Sequence, residues 1–280
     1  MFRKCAILIL SLFCAQITSS QALLWSKEGG GISSEQIKDM VIDNAGNLYC
    51  VGYFADTVDF DFGTGVTKVG SALFGFDAFL LKLDPSGNFI WVKQLSGGLH
   101  INITSIDVDI YENVYLTGSF RGNIKYIQDN KIVSYWTNGN NGSDIFLAKI
   151  DENSNVLWFN TTGGRFYDYG MSVAVDLLGN VYTIGRFYGD IVDFDPGSGV
   201  ESKKSVGDYD VFVLALDNNG DFLWVQTFGG NDAETFGGEA KDNSNNIVIT
   251  GGYKSNMSVP IGSSTTTLSS IGGYSDVFVI

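Results

Sequence analysis

After the first twenty or so residues, short apolar runs alternate with compact polar turns along the whole chain. The segments Ile37–Asp43, Leu48–Phe54, Ala78–Asp84 and Phe89–Leu95 have the length and β-branched or aromatic content of strands. Asn44-Ala45-Gly46-Asn47 joins the first two, and Pro85-Ser86-Gly87-Asn88 joins the last two. Proline presets φ in such a turn, and glycine accepts the positive φ that other residues resist. Runs such as Val211-Phe212-Val213-Leu214-Ala215-Leu216 are apolar on both faces rather than alternating. A small sheet of that kind needs cover on both sides. The pattern predicts small four-stranded sheets packed face to face.

The pattern also repeats. Trp25, Trp91, Trp158 and Trp224 recur at intervals of 66 or 67 residues, and Asp43, Asp109, Asp176 and Asp242 keep the same spacing. So do Gly52, Gly118, Gly185 and Gly251, and Phe54, Phe120, Phe187 and Tyr253. Asp77, Asp144, Asp210 and Asp276 each precede a phenylalanine by two residues, and glycine doublets fall at 30–31, 97–98, 163–164 and 229–230. Stacked repeats of one supersecondary unit bury a shared core. The expected fold is therefore all-β, a β-propeller of four-stranded antiparallel blades, with units at about 25–90, 91–157, 158–223 and 224–280. A flat solenoid of the same units is the alternative. Asp276–Ile280 reads as an unfinished third strand. Either the propeller continues in a longer chain, or the Trp25 strand supplies the missing fourth strand.

Three blocks carry a family resemblance: Trp-x-x-x-x-x-Gly-Gly, Asp-x-x-Gly-Asn-hydrophobic-Tyr-x-x-Gly-x-Phe, and the block met closely by Asp77–Trp91 and Asp210–Trp224. Together they resemble the SBBP β-propeller repeat of secreted bacterial proteins. Glu112, Ser154 and Asn245 stand where the turn glycines of that pattern belong. The resemblance implies the propeller fold and an extracellular or cell-surface location, but no particular chemistry. The turn Leu83-Asp84-x-x-Gly87-x-x-x-Trp91 is also similar to the tryptophan-docking turn of quinoprotein dehydrogenases. Those enzymes use a vicinal disulfide, and no two of Cys5, Cys14 and Cys50 are adjacent to make one.

Arg3 and Lys4 followed by the apolar run Cys5–Ala15 and the small residues Thr18 to Ala22 have the layout of a signal peptide (residues 1–22), with cleavage near Ser20 to Ala22. Its loss takes Cys5 and Cys14 away and leaves Cys50 alone, so no intramolecular disulfide is expected. With 17 Lys+Arg against 31 Asp+Glu the formal charge is −14. That acidity opposes nucleic acid as a partner, because phosphates demand a cationic surface. No later apolar stretch is long enough for a transmembrane helix. One histidine, His100, excludes a multi-histidine metal centre.

The long strand 2–3 connections, such as Ala55–Phe76, lie together at one end of a propeller, where ligand contacts concentrate. Three features there carry candidate chemistry. Asp59 and Asp61, and again Asp193 and Asp195, alternate in Asp-x-Asp-x-Gly segments that aim two carboxylates one way. That is a partial Ca²⁺ ligand set or an Asp-led turn. Glu35, Asn102, Asp168 and Glu234 follow the glycine doublets and are expected to form a solvated acidic rim or a cation or polyol site, with two of Glu35, Asp168 and Glu234 as the acids of a glycosidase as a further alternative. Off-register aromatics, Trp136 beside Tyr135 and the pair Tyr167 and Tyr169, offer flat apolar area to a glycan or an extracellular protein. These features favour a secreted binding or adhesion module. A structural spacer in a larger surface protein and a carbohydrate-active hydrolase are the alternatives.

Overall fold

The structure is a computed structural model that describes residues 25–71, 75–138, 142–189, 191–242, 246–272 and 274–280. The signal-peptide reading, Asn245 and the loop residues 139–141 lie outside the described residues. All regular structure among the described residues is β, in antiparallel sheets.

Four sheets follow one another. The first contains Glu35–Ile42, Leu48–Phe54, Asp77–Leu83 and Phe89–Gly97. The second contains His100–Val108, Val114–Arg121, Asp144–Ile150 and Val156–Thr162. The third contains Tyr169–Val175, Val181–Tyr188, Tyr209–Leu216 and Phe222–Gly230. The fourth contains Thr235–Lys241, Ile247–Tyr253 and Asp276–Val279. Each pairs its strands in chain order. Successive sheets share cores: Tyr49, Val51, Ala78 and Leu80 pack on Ile103, Ile106 and Leu116 of the next sheet, and Tyr115, Ile145 and Leu147 pack on Val173, Val175 and Val181. The units therefore stack as blades.

Local chemistry repeats with the sequence. At each strand 1–2 turn one aspartate accepts the N–H of the asparagine four residues on while its second oxygen takes that asparagine's side-chain amide, as in Asp43–Asn47, both at 2.8 Å. Glu112 and Ser154 adopt the left-handed conformation (φ 65° and 72°) that Gly46 and Gly179, and Gly87 and Gly220, take at the corresponding turns. The glycine column has a steric cause. A Cβ on Gly52, Gly118, Gly185 or Gly251 would lie 1.9–2.0 Å from a first-strand carbonyl oxygen, at the point where that strand bulges.

The free edges of the first strands face one another and are stitched by side chains. Asp39 accepts the N–H of Ile106 at 3.1 Å, and Asp107 accepts that of Val175 at 2.8 Å. Unpaired edge amides thus find partners in the neighbouring blade.

The strand 2–3 connections, expected as loops, are hairpins. Thr57–Asp59 pairs with Lys68–Gly70, Asn123–Gln128 with Lys131–Trp136, Val192–Asp193 with Ser202–Lys203, and Asn256–Ile261 with Ser264–Ser269. Each clamps onto the last strand of the preceding unit at its glycine doublet: Gly97 opposes Ile124, Gly163 opposes Asp193, and Gly230 opposes Met257. Gly30–Gly31 pairs with Thr57–Asp59 in the same way, so the Trp25 segment lies on the first unit. Among the described residues Asp276–Val279 pairs only with Ile247–Tyr253, and the Trp25 segment does not complete the fourth sheet.

Candidate ligand-contact surface

The acids placed after the glycine doublets turn back on their own loops. Glu35 accepts the N–H of Gly31 at 3.0 Å, Asp168 that of Gly164 at 2.7 Å, and Glu234 that of Gly230 at 3.0 Å. Asp168 and Glu234 are fully buried, so the expected solvated rim is not formed there. The pairing register puts Ile101, not Asn102, at the equivalent position of the second unit, because Ile101 opposes Phe120 as Glu35 opposes Phe54. An interval one residue shorter at this point misaligns a count made on the sequence alone.

Burial holds the Asp168 and Glu234 carboxyls well above the usual range. It pushes Asp168 to about 6 and Glu234 to about 8, against the N–H bonds from Gly164 and Gly230 that favour the ionised form. The aspartates that open the third strands behave alike, with Asp144 and Asp210 each raised to about 7 by burial. Asp168 lies close enough to Asp144, and Asp210 to Glu234, to raise the neighbour further.

The two Asp-x-Asp segments fold identically. Asp59 Oδ1 accepts from Asp61 and Thr67 at 3.2 and 2.8 Å, and Asp193 Oδ1 from Asp195 and Glu201 at 3.1 and 2.8 Å. Asp61 and Asp195 then accept the N–H of Gly63 and Gly197. The intervening phenylalanine points inward. Phe60 packs on Phe54 and Phe79 at 5.4 and 4.8 Å, and Phe194 on Phe187 and Phe212 at 5.3 and 4.9 Å. The carboxylates thereby brace a hairpin whose aromatic plugs the core. Among the described residues no three His, Cys, Asp or Glu side chains group as a metal site.

The aromatics divide. Tyr135 stacks on Phe159 at 4.8 Å and caps the core between the first two units, whereas Trp136, next to it, is 70% exposed. Tyr167 and Tyr169 lie parallel with ring centres 6.4 Å apart. The Arg186 guanidinium sits over the rings of Tyr169 and Tyr209, at 5.1 and 4.6 Å. Tyr209 meets Tyr188 at 5.2 Å, and Tyr188 meets Phe166 at 5.6 Å. No ring contact joins Trp136 to this row among the described residues. The row crosses three neighbouring strands of the third sheet at its hairpin end, and Phe166 and Tyr167 are 39% and 38% exposed. His100 is an exposed residue at the start of its strand.

Arg186, Tyr188 and Tyr209 escaped the sequence reading because each stands at a variable position between repeat columns. The signal was in the contrast between units: the site of Arg186, opposite the middle residue of the Asp-x-Phe motif, holds Tyr53, Ser119 and Gly252 elsewhere. Flat rings around a cation offer apolar faces with fixed hydrogen-bond donors between them, which suits ligands that stack and accept hydrogen bonds.

Among known proteins, the chain is similar to the Uncharacterized WD repeat-containing protein L264 of Acanthamoeba polyphaga mimivirus, 25% identical over 237 residues. That match covers 76% of this chain and 17% of the viral protein, so the chain spans about a sixth of the length of that relative. A solved structure, the crystal structure of a protein of unknown function from Bacteroides caccae, aligns over 69% of this chain and 82% of its own, with 9% identity and a TM-score of 0.24. Residues 90–119, which carry Trp91, the doublet Gly97–Gly98, Asp109 and Gly118, match the family model SBBP, Beta-propeller repeat.

Proposed function

We propose that this chain is a secreted or cell-surface binding module whose ligand-contact surface is the Tyr–Arg row of the third unit, Tyr167, Tyr169, Arg186, Tyr188 and Tyr209. The observation that carries this reading is the guanidinium of Arg186 held over two tyrosine rings at the hairpin end, with Phe166 and Tyr167 open to solvent beside it. A rigid stack of sheets supports the row, so little entropy is lost when a partner settles on it. The propeller repeat and the WD-repeat relative support a binding or scaffold role, and the N-terminal signal pattern supports export. Glu35, Asp168 and Glu234 each engage a glycine amide on a separate loop, which favours binding over hydrolysis.

The test is an array of neutral and acidic glycans probed with the purified chain, Tyr167→Ala and Arg186→Ala. Signal lost in both variants, with melting unchanged for Tyr167→Ala, supports the row as the contact surface. Equal silence from all three proteins favours a structural spacer instead.

A further inference from the structure

The Arg186 guanidinium is a donor without an acceptor. Its Nε is buried with no partner, and no carboxylate lies within ion-pair distance of it among the described residues. That is unexpected in a chain with 31 Asp+Glu against 17 Lys+Arg. Lys82, Lys93 and Lys149 also lie against tyrosine rings, at 4.9, 5.8 and 5.2 Å. Each of these lysines spends a proton on a turn carbonyl, that of Glu152, Ser154 or Asn218. Arg186 has the rings of Tyr169 and Tyr209 and no such carbonyl. Its plane is held while its N–H fork stays unused.

A guanidinium fork matches an anion that accepts two parallel N–H bonds, such as a carboxylate or a sulfate. Tyr167, 38% exposed and parallel to Tyr169, offers a flat apolar seat beside it for the C–H face of a sugar ring. Arg186 and Tyr209 stand on strands paired on both sides, so no backbone edge next to the cation is offered to a peptide. The formal charge of −14 repels an anion at long range. Screening confines that field to about 8 Å at physiological salt, so the contact at Arg186 decides. Asp208, exposed and close enough to act on Tyr209, is the acid that opposes such a ligand.

With the row as the contact surface, the reading on which this rests, we infer that its ligand is an acidic glycan. A carboxylate or sulfate of the glycan takes the N–H fork of Arg186, and a sugar ring lies on Tyr167.

Titration calorimetry with trigalacturonate, its methyl ester and a sulfated galactose trisaccharide tests this. The ester keeps the rings and loses the charge, and is expected to bind at least about ten-fold more weakly than the better acidic sugar. Arg186→Lys keeps the charge and loses the fork. It is expected to weaken the acidic sugar by about ten-fold, with ester binding and melting unchanged. Asp208→Asn is expected to tighten the acidic sugar. The preference for carboxylate over sulfate, or the reverse, shows which anion the fork takes. Ester and acid bound equally, with both lost in Tyr167→Ala, would overturn the ligand class and leave the row standing. So would acid binding indifferent to Arg186→Lys and Arg186→Gln, or triglycine bound as tightly as the acidic sugar. Silence toward all three sugars would remove the row and its ligand together.

Discussion

The indole N–H of Trp91 donates to the backbone carbonyl of Glu152, 61 residues later in the turn of the next blade, at 2.9 Å. The ammonium group of Lys82 donates to the same oxygen at 3.4 Å while lying 4.9 Å from the Tyr49 ring. Trp158 and Lys149 repeat the arrangement on Asn218 O. The first and second blades are thus each fastened to the next blade's turn by one ring and one cation. Trp91→Ala is expected to lower unfolding stability by about 3–5 kcal/mol. Trp91→Phe, which keeps most of the ring but loses the donor, is expected to cost about 1 kcal/mol from the hydrogen bond alone. Denaturant unfolding measures both, and equal losses would show that the N–H carries the whole effect.

The left-handed turn residues give a test of opposite sign. Ser154, at φ 72°, holds the conformation of Gly87 and Gly220 with a side chain that resists it. Ser154→Gly is expected to raise stability by up to about 1 kcal/mol. Thermal melting decides, and a destabilised variant would show that the serine hydroxyl contributes something the turn geometry does not account for.

Two glycines of the same strand pairing should respond differently. A Cβ on Gly251 would fall 2.0 Å from Thr235 O and 2.5 Å from the Phe278 ring, whereas one on Gly238 meets nothing nearer than 3.9 Å. Gly251→Ala is expected to destabilise by at least 2 to 3 kcal/mol, on the order of other overpacked cores. Gly238→Ala is expected to stay within about 0.5 kcal/mol of wild type. Comparable melting temperatures for the two variants would contradict the assigned close approach.

The buried acids set the pH dependence. Asp144, Asp168, Asp210 and Glu234 hold their protons more tightly folded than unfolded, with folded values of about 7, 6, 7 and 8. Their contribution is complete below the unfolded carboxyl range and is lost as pH rises through 6 to 8. Asp84, drawn below the usual range by the backbone and side chain of Asn88, has the opposite sign and weakens the fold at low pH. Stability is therefore expected to peak at about pH 4, in the unfolded carboxyl range, and to fall from there toward pH 8. Glu234→Gln, which mimics the protonated acid, should flatten that fall and raise the melting temperature at pH 8. A steeper fall in the variant would exclude Glu234 as a source.

Calcium supplies a further check on the Asp-x-Asp segments. Since Asp59 and Asp193 each spend an oxygen on two backbone amides, melting with calcium and with chelator is expected to coincide. A rise of several degrees with calcium would restore the metal reading.

Much of the fold was legible because its causes are periodic. The tryptophan, aspartate and glycine columns mark contacts that every unit must make, and the strand readings Leu48–Phe54 and Ala78–Asp84 lie within a residue of those formed. The hairpins were not legible, since Thr57–Asp59 and Val192–Asp193 are too short to show alternation and are held by the preceding blade's glycines. Of the candidate contact residues, Tyr167 and Tyr169 belong to one row and Trp136 stands apart in solvent. Arg186 was missed because a residue that differs in every unit carries no periodic signal, only a contrast between units.

Indole N–H exchange tests the stacked-blade account most directly. The chain has five tryptophans, each with its own indole resonance in a labelled sample. Those of Trp25, Trp91 and Trp158, bonded to turn carbonyls, are expected to exchange slowly, and that of Trp136, 70% exposed, rapidly. Rapid exchange at Trp91 and Trp158 in the folded protein would mean that the blades are not joined through their indoles, and the architecture described would fail.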